Sequence, residues 1–213
     1  MSDFTGAFNE ISELLQKGRA KEIVPAVEKA LSSGASPADI LEKGLISGMS
    51  ILGAKFKNGD VFVPEVLVAA RAMNQASAAL KPALKEAGVE PLGTAIIATV
   101  KGDLHDIGKN LVRMMVEGKG IEVVDLGIDV PKEKIVEAVK GSEAKVLLLS
   151  ALLTTTMPAM KEAIEAVNAA GLRSKVKIMV GGAPVTQGFA NDIGADAYSP
   201  DAAAAAEACA GFY

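Results

Sequence analysis

The sequence predicts an α/β chain in which an N-terminal helical bundle precedes a doubly wound, parallel five-stranded sheet. Three observations predict it. Up to about residue 86 apolar residues recur only at helical spacing. Beyond residue 93, β-branched runs alternate with helical stretches five times. Between the two regimes, residues 86–91 carry Gly, Pro and charge without any period.

In the first region Phe4, Phe8, Ile11 and Leu14 make one stripe, and Ile23, Val27 and Leu31 make another after Gly18. Ser36-Pro37-Ala38-Asp39 predicts a third helix start, with a capping serine, a proline at the first helical position and an acid three residues after the cap. Its inward positions are Leu41, Leu45, Met49 (or Gly48), Leu52 and Phe56. Asn58-Gly59-Asp60 breaks that pattern. Pro64 can then open a fourth helix with Val66, Ala70, Met73, Ser77, Leu80 and Leu84 inward. Four helices on short turns suggest a bundle over residues 1–88.

In the second region, residues 89–213, strands are expected at 94–100, 121–126, 145–150, 175–180 and 197–198. Each precedes a helix, at 111–117, 132–140, 159–170, 185–193 and 200–210. Strands apolar on both faces with intervening helices imply parallel pairing and right-handed crossovers, a flavodoxin-like (Rossmann-like) sheet. Ligands of such sheets bind at the carboxyl ends of the strands, so function is sought in the loops after Val100, Leu149, Val180 and Tyr198.

Composition narrows the function. The 213 residues carry 26 acidic against 22 basic side chains, a net charge of -4, which argues against a phosphate-neutralising nucleic-acid surface. Aromatics are 4% and Trp is absent, so stacking platforms for bases are not expected either. One cysteine, Cys209, leaves no internal disulfide, and one histidine, His105, leaves no Cys/His zinc site. The longest uncharged run, residues 146–160, contains three threonines and a proline and is shorter than the roughly 20 residues of a membrane span. Met1-Ser2-Asp3-Phe4 has no features of a secretion leader. A cytoplasmic protein with no membrane and no nucleic-acid partner is expected.

Three of the strand-end loops carry unusual chemistry. The first reads Lys101-Gly102-Asp103-Leu104-His105-Asp106-Ile107-Gly108. By composition alone a lone histidine is as readily a hydrogen-bonded structural residue as a ligand. Two residues from Asp103, however, His105 can donate one ring proton to that carboxylate and present the other nitrogen to a metal. One imidazole does not hold a transition metal by itself. A metal bound here has to arrive held by something else, and a macrocycle filling the equatorial positions needs one axial donor. The second loop, residues 150–156, offers the hydroxyls of Ser150, Thr154, Thr155 and Thr156, although Thr156 before Met157-Pro158 also reads as a plain helix cap. In the third, Gly181-Gly182 lets a ligand approach the backbone.

Asp103-x-His105-x-x-Gly108, then 41 residues, Ser150-x-Leu152, 28 residues and Gly181-Gly182 together resemble the cobalamin-binding signature of corrinoid-dependent methyltransferases and mutases. Residues 56–65, from Phe56-Lys57-Asn58-Gly59-Asp60 to Pro64-Glu65, are similar to the helical cap before that domain in cobalamin-dependent methionine synthase and in small corrinoid proteins. The whole chain thus resembles a stand-alone methyltransferase corrinoid protein, with residues 1–88 as cap and 89–213 as cobalamin-binding domain.

The resemblance implies cobalamin or a related corrinoid as cofactor, carried as methylcobalamin, with His105 as the lower axial ligand of cobalt and Asp103 hydrogen-bonded behind it. Thr156 falls where the methionine synthase pattern has a serine completing a proton relay. Gly102, Asp106, Ile107 and Gly108 belong to the same cofactor loop. Ser150, Leu152, Thr154, Gly181 and Gly182 match the channel for the displaced nucleotide tail, and Tyr198 and Ser199 its far end. Phe56 and Val63 match cap residues over the methyl-bearing face, and residues 88–91 are the expected pivot. The chain would not be an enzyme alone. It would dock with a cognate substrate methyltransferase, with an acceptor methyltransferase using a folate or a thiol cofactor, and with a reductive activase. The substrate stays open among methanol, a methylamine, a betaine and a methoxylated aromatic. A cobalamin-binding sensor or storage protein, and a flavodoxin-like domain with a structural His105, also remain open.

Overall fold

The computed structural model describes residues 4–213; the N-terminal Met1-Ser2-Asp3 read above for a leader lies outside them. The chain divides into two compact units, one of the residues up to Glu90 together with Gly118–Gly120 and the other of Pro91–Glu117 with Ile121–Tyr213.

The first unit is helical: α1 (Thr5–Gln16), α2 (Ala20–Ser32), α3 (Pro37–Asp39), a π-helical segment (Ile40–Ile46), α4 (Ser47–Asn58) and α5 (Val63–Glu86). The third expected helix is therefore one continuous rod, α3 to α4, with a π segment inside it. That segment uses more residues per turn and re-phases the inward face. Ile40 rather than Leu41 is buried, then Gly44 with Leu45, Gly48 with Met49, and Leu52, while Phe56 is only half-buried. Ser36 does occupy the N-cap position, but its hydroxyl makes no capping bond, and Asp39 instead pairs with Lys43 at 2.7 Å.

Three other inward assignments shift. Leu15 is buried and Leu14 half-buried in α1. Ala30 is buried and Leu31 half-buried in α2. In α5 Ala69, Ala72 and Ala76 join Val66, Ala70, Met73 and Leu80 in the core, with Ser77 and Leu84 half-buried. The small residues are inward because the helices approach closely. A Cβ on Gly48 would stand 3.1 Å from the Ser12 carbonyl oxygen, and one on Gly44 3.0 Å from Ile11. Gly59 ends α4 with φ 80, and the Phe62 N–H at the start of α5 donates to the Glu65 carboxylate at 2.7 Å.

The second unit contains β1 (Gly93–Thr99), α6 (Ile107–Glu117), β2 (Ile121–Asp125), α7 (Lys132–Gly141), β3 (Val146–Ser150), α8 (Met157–Ala169), β4 (Lys177–Gly181), α9 (Gln187–Asp192), β5 (Ala197–Tyr198) and α10 (Ala202–Ala210). All pairings are parallel and the order is β2-β1-β3-β4-β5, the flavodoxin-like order. Ile96, Ala98, Leu147, Leu149, Ile178 and Val180 pack with Ile135, Val139, Met160 and Ile164 on the α7–α9 side. By strand alternation Ala95, Ile97, Leu148 and Met179 turn to the opposite face, where α6 packs with α10. Burying such side chains contributes about 1.5–3 kcal/mol each, which makes the sheet a rigid platform for the loops at its carboxyl edge.

Candidate functional site

The site is built where β1 and β3, hydrogen-bonded neighbours, end side by side. After β1 the Asp103 N–H donates to the Val100 carbonyl at 3.1 Å and closes a β-turn whose third residue, Gly102, has φ 84, a value that suits glycine. The turn carries Asp103 inward until it is 0% exposed. Four donors meet its carboxylate. Oδ1 accepts the His105 N–H at 3.0 Å and the His105 ring Nδ1 at 2.9 Å. Oδ2 accepts the Leu152 N–H at 2.7 Å and the Thr156 hydroxyl at 2.7 Å.

Burial alone would raise the Asp103 pKa. The hydrogen bonds from Leu152 and from the His105 backbone, the Thr156 hydroxyl and the His105 ring outweigh it and hold the group well below the usual carboxylate range. Asp103 is therefore an anion that only accepts, so the bonded Nδ1 carries a proton. In the neutral ring Nε2 then has the free lone pair, and among the described residues no protein group bonds to it. The side chain is 51% exposed. Its backbone is held from below, where the buried Thr99 hydroxyl at the end of β1 donates to the His105 carbonyl at 2.9 Å.

Thr156 stands at the N-cap position of α8 but makes no capping bond. Its hydroxyl turns to Asp103, with the Leu153 carbonyl a second acceptor at 2.9 Å. Leu104 and Ile107, on either side of His105, are 67% and 74% exposed, and Leu152 and Leu153 beside Asp103 are exposed as well. Asp106 accepts the Asn110 side-chain N–H at 3.1 Å and stabilises the first turn of α6, which starts four residues earlier than the sequence pattern suggests.

Among the remaining expected residues, Ser150 and Gly181 are register partners on β3 and β4. Gly182 has φ 132, and a Cβ there would lie 1.8 Å from the Ala151 carbonyl oxygen, so only glycine fits. Above Gly108 a Cβ would meet nothing within 4 Å; the protein's own packing does not require glycine there, and the space stays open to a ligand. Thr154 is exposed. Ser199 is buried and its N–H donates to the Val180 carbonyl at 3.3 Å, while Tyr198 packs against the hydrophobic core of the α7–α9 side. Phe56 and Val63 lie in the helical unit, on the last turn of α4 and at the first residue of α5, each half-buried.

Sequence reasoning missed two contributors. Thr99 reads as one more β-branched strand residue. The loop after β2 was not among those singled out, yet its Asp129 N–H donates to the Asp103 carbonyl at 3.0 Å. Gly127 and Pro131 around a strand end were the available signal.

Two family models, both described as B12 binding domain, match residues 7–81 and 93–210. The chain belongs to the corrinoid proteins. It is 40% identical to "Dimethylamine corrinoid protein 3" of Methanosarcina acetivorans over 205 residues, 96% of each chain, and 44% identical to "Trimethylamine corrinoid protein 1" of that organism over 177 residues, 82% of each. Among solved structures it resembles a cobalamin-binding protein from Desulfitobacterium hafniense, with a TM-score of 0.81, 34% identity and coverage of 97% of this chain and 98% of the other. It also resembles the methanol:cobalamin methyltransferase complex of Methanosarcina barkeri, with a TM-score of 0.84, 31% identity and coverage of 95% and 77%.

The residues fit a corrinoid. A ring that fills cobalt's equatorial positions needs a single protein donor, and Nε2 of His105 is one unshared donor on an oriented imidazole. Among the described residues no three His, Cys, Asp or Glu side chains converge as a metal site. Exposed Leu104, Ile107, Leu152 and Leu153 suit a broad, partly apolar macrocycle, and the backbone at Gly108 and Gly182 is bare enough for close approach. Among the described residues no helix is long and apolar enough to cross a membrane.

Proposed function

We propose that this corrinoid protein carries a methyl group from a methylamine-specific methyltransferase to an acceptor methyltransferase that uses a folate or a thiol, with a reductive activase returning the cofactor to use when it is oxidised. The observation that carries the reading is the Asp103–His105 pair at the carboxyl edge of the sheet, with Nδ1 committed and Nε2 free. The names of the relatives, dimethylamine and trimethylamine corrinoid proteins, support a methylamine over methanol, a betaine or a methoxylated aromatic.

In this reading His105 would hold the cofactor's metal through Nε2. When bound, the corrinoid supplies a cobalt atom that accepts and releases the methyl group. The chain's residues do the rest. Asp103 orients the imidazole and keeps the proton on Nδ1. Thr156 and the Leu152 N–H keep Asp103 ionised, so positive charge developing on the His105 ring would be balanced by an anion fixed 2.9 Å from Nδ1. The exposed Leu104 and Ile107 would lie against the bound corrinoid and cover the imidazole together with it, and Gly102 and Asp106 belong to the same cofactor loop. Ser150, Thr154, Gly181, Gly182 and the Tyr198-Ser199 strand end serve the nucleotide tail. For Phe56 and Val63, on α4 and α5 of the helical unit, the family resemblance supports a role in protecting the carried methyl group.

The test is to load the protein with hydroxocobalamin, reduce it, and offer mono-, di- and trimethylamine, methanol, betaine and a methoxybenzoate, each with its methyltransferase. Retained pigment and a methyl-dependent spectral change with one methylated amine are expected. Pigment without methyl uptake from any pair would mean storage or sensing, and no retained pigment would remove both readings.

A further inference from the structure

The turn that positions His105 is clasped from outside by a residue to which neither sequence motif nor relay assigns a task. Asp129 follows β2, and its backbone has φ 51, the single positive φ of a non-glycine residue among those described. That region is sparsely populated, with Asn and Asp the side chains that enter it most readily. The conformation aims both its main chain and its side chain at one target. The Asp129 N–H donates to the Asp103 carbonyl at 3.0 Å. Its Oδ1 accepts the Gly102 N–H at 2.8 Å, and its carboxylate meets the Lys101 ammonium at 3.0 Å. Three consecutive residues, Lys101 to Asp103, are thereby held by one. The strand ends are tied as well, since the Val130 N–H donates to the Thr99 carbonyl and the Thr99 N–H to the Gly127 carbonyl, both at 3.0 Å.

The geometry points to Asp129 as a positioning residue for the axial histidine. It acts through the Gly102 turn, because the depth of that turn decides whether Asp103 reaches both His105 and the Leu152 N–H. The Gly102 bond is charge-assisted, since the Asp129 carboxylate is held below its usual range first by that N–H and then by Lys101. The turn has φ 84 at its glycine and one internal hydrogen bond, so beyond the bonds on the Asp103 carboxylate its backbone is held by Asp129, at the Gly102 N–H and the Asp103 carbonyl.

The inference rests on His105 as axial ligand, and its test separates the two ideas. Three variants divide the roles of Asp129: Asp129→Gly keeps the positive φ without an acceptor, Asp129→Asn keeps the φ and the acceptor without the charge, and Lys101→Ala removes only the ion pair. In the corrinoid-free protein, amide hydrogen exchange at His105, whose N–H is bound to Asp103, is expected to be roughly tenfold faster in Asp129→Gly and within about threefold of wild type in the other two. In the cobalamin-loaded, one-electron-reduced protein, electron paramagnetic resonance is expected to show loss of axial nitrogen coupling from a large fraction of the cobalt in Asp129→Gly and its rescue in Asp129→Asn. Wild-type exchange and wild-type nitrogen coupling in Asp129→Gly would overturn the proposal, as would an Asn variant as defective as the Gly one. If wild type itself lacks nitrogen coupling, axial ligation fails, and the exchange data alone decide what Asp129 does to the turn.

Discussion

The backbone N–H of Leu152 donates to Oδ2 of Asp103 at 2.7 Å, across 49 residues of chain. This bond joins the loop after β1 to the loop after β3, and it explains why Asp-x-His and Ser-x-Leu occur as one signature. The register pairs Thr99 with Ser150, so the second residue beyond the end of β3 comes level with the turn that buries Asp103. Without Leu152 and Thr156 the carboxylate would be buried with donors on one oxygen only.

His105→Ala should leave the fold almost intact, because the ring is half exposed and Asp103 keeps the donors at Leu152, Thr156 and the His105 backbone. A stability change within about 1 kcal/mol is expected in urea titration. The cobalamin-loaded variant should lack axial nitrogen coupling, and an unchanged cobalt spectrum would exclude Nε2 as the ligand.

Thr156→Val keeps the shape of the side chain and removes one of the two donors on Oδ2. Since Thr156 is buried, a loss of about 1–3 kcal/mol is expected by denaturant titration, with Thr156→Ser recovering most of the hydrogen bond. Equal losses in the two variants would mean that the methyl packing, not the hydroxyl, matters.

Two glycines should respond in opposite ways. Gly182→Ala drives a Cβ into the Ala151 carbonyl at a positive φ and should cost more than about 3 kcal/mol or prevent folding. Gly108→Ala meets no protein atom and lies in α6, so it should stabilise the corrinoid-free protein by about 0.5–1 kcal/mol while weakening cobalamin retention. Thermal melts and equilibrium dialysis against cobalamin measure the two effects. Undiminished retention in Gly108→Ala would show that no ligand lies over that position.

Acid should destabilise the protein through carboxylates bound in the native state. At Asp196, away from the site, burial raises the pKa but the Ile178 N–H and then Arg173 and Lys177 lower it further, for a net depression. A group depressed on folding contributes fully above its unfolded value of about 3.9 and loses that contribution as pH falls toward the folded value. Asp196→Asn should therefore be less stable than wild type at pH 7 and approach it below about pH 4. Parallel stability curves over that interval would contradict the assignment.

Much of this was legible along the chain. Strands buried on both faces show as uninterrupted apolar runs, and His105 two residues from Asp103 declares a local hydrogen bond. Less legible was the inward face of the helices. The π segment at 40–46 changes the phase without changing the residue types, and the alanines of α5 pack inward through closeness of approach rather than hydrophobicity. Thr156 shows the same limit in the site, because one hydroxyl before Met157-Pro158 serves equally as helix cap or as donor to a distant anion.

The amino-acid order alone determined the helical region, the five βα units, the sequence of strand-end loops and the identity of the single imidazole. Spacing and hydrophobic period are properties of neighbouring residues and need no partner. Tertiary structure alone decided that Leu152, Thr156 and Asp129 converge on Asp103 and its turn. Parallel strand register and the packing of crossover helices set which distant loops share a level, and that register is a property of the assembled sheet rather than of any one segment.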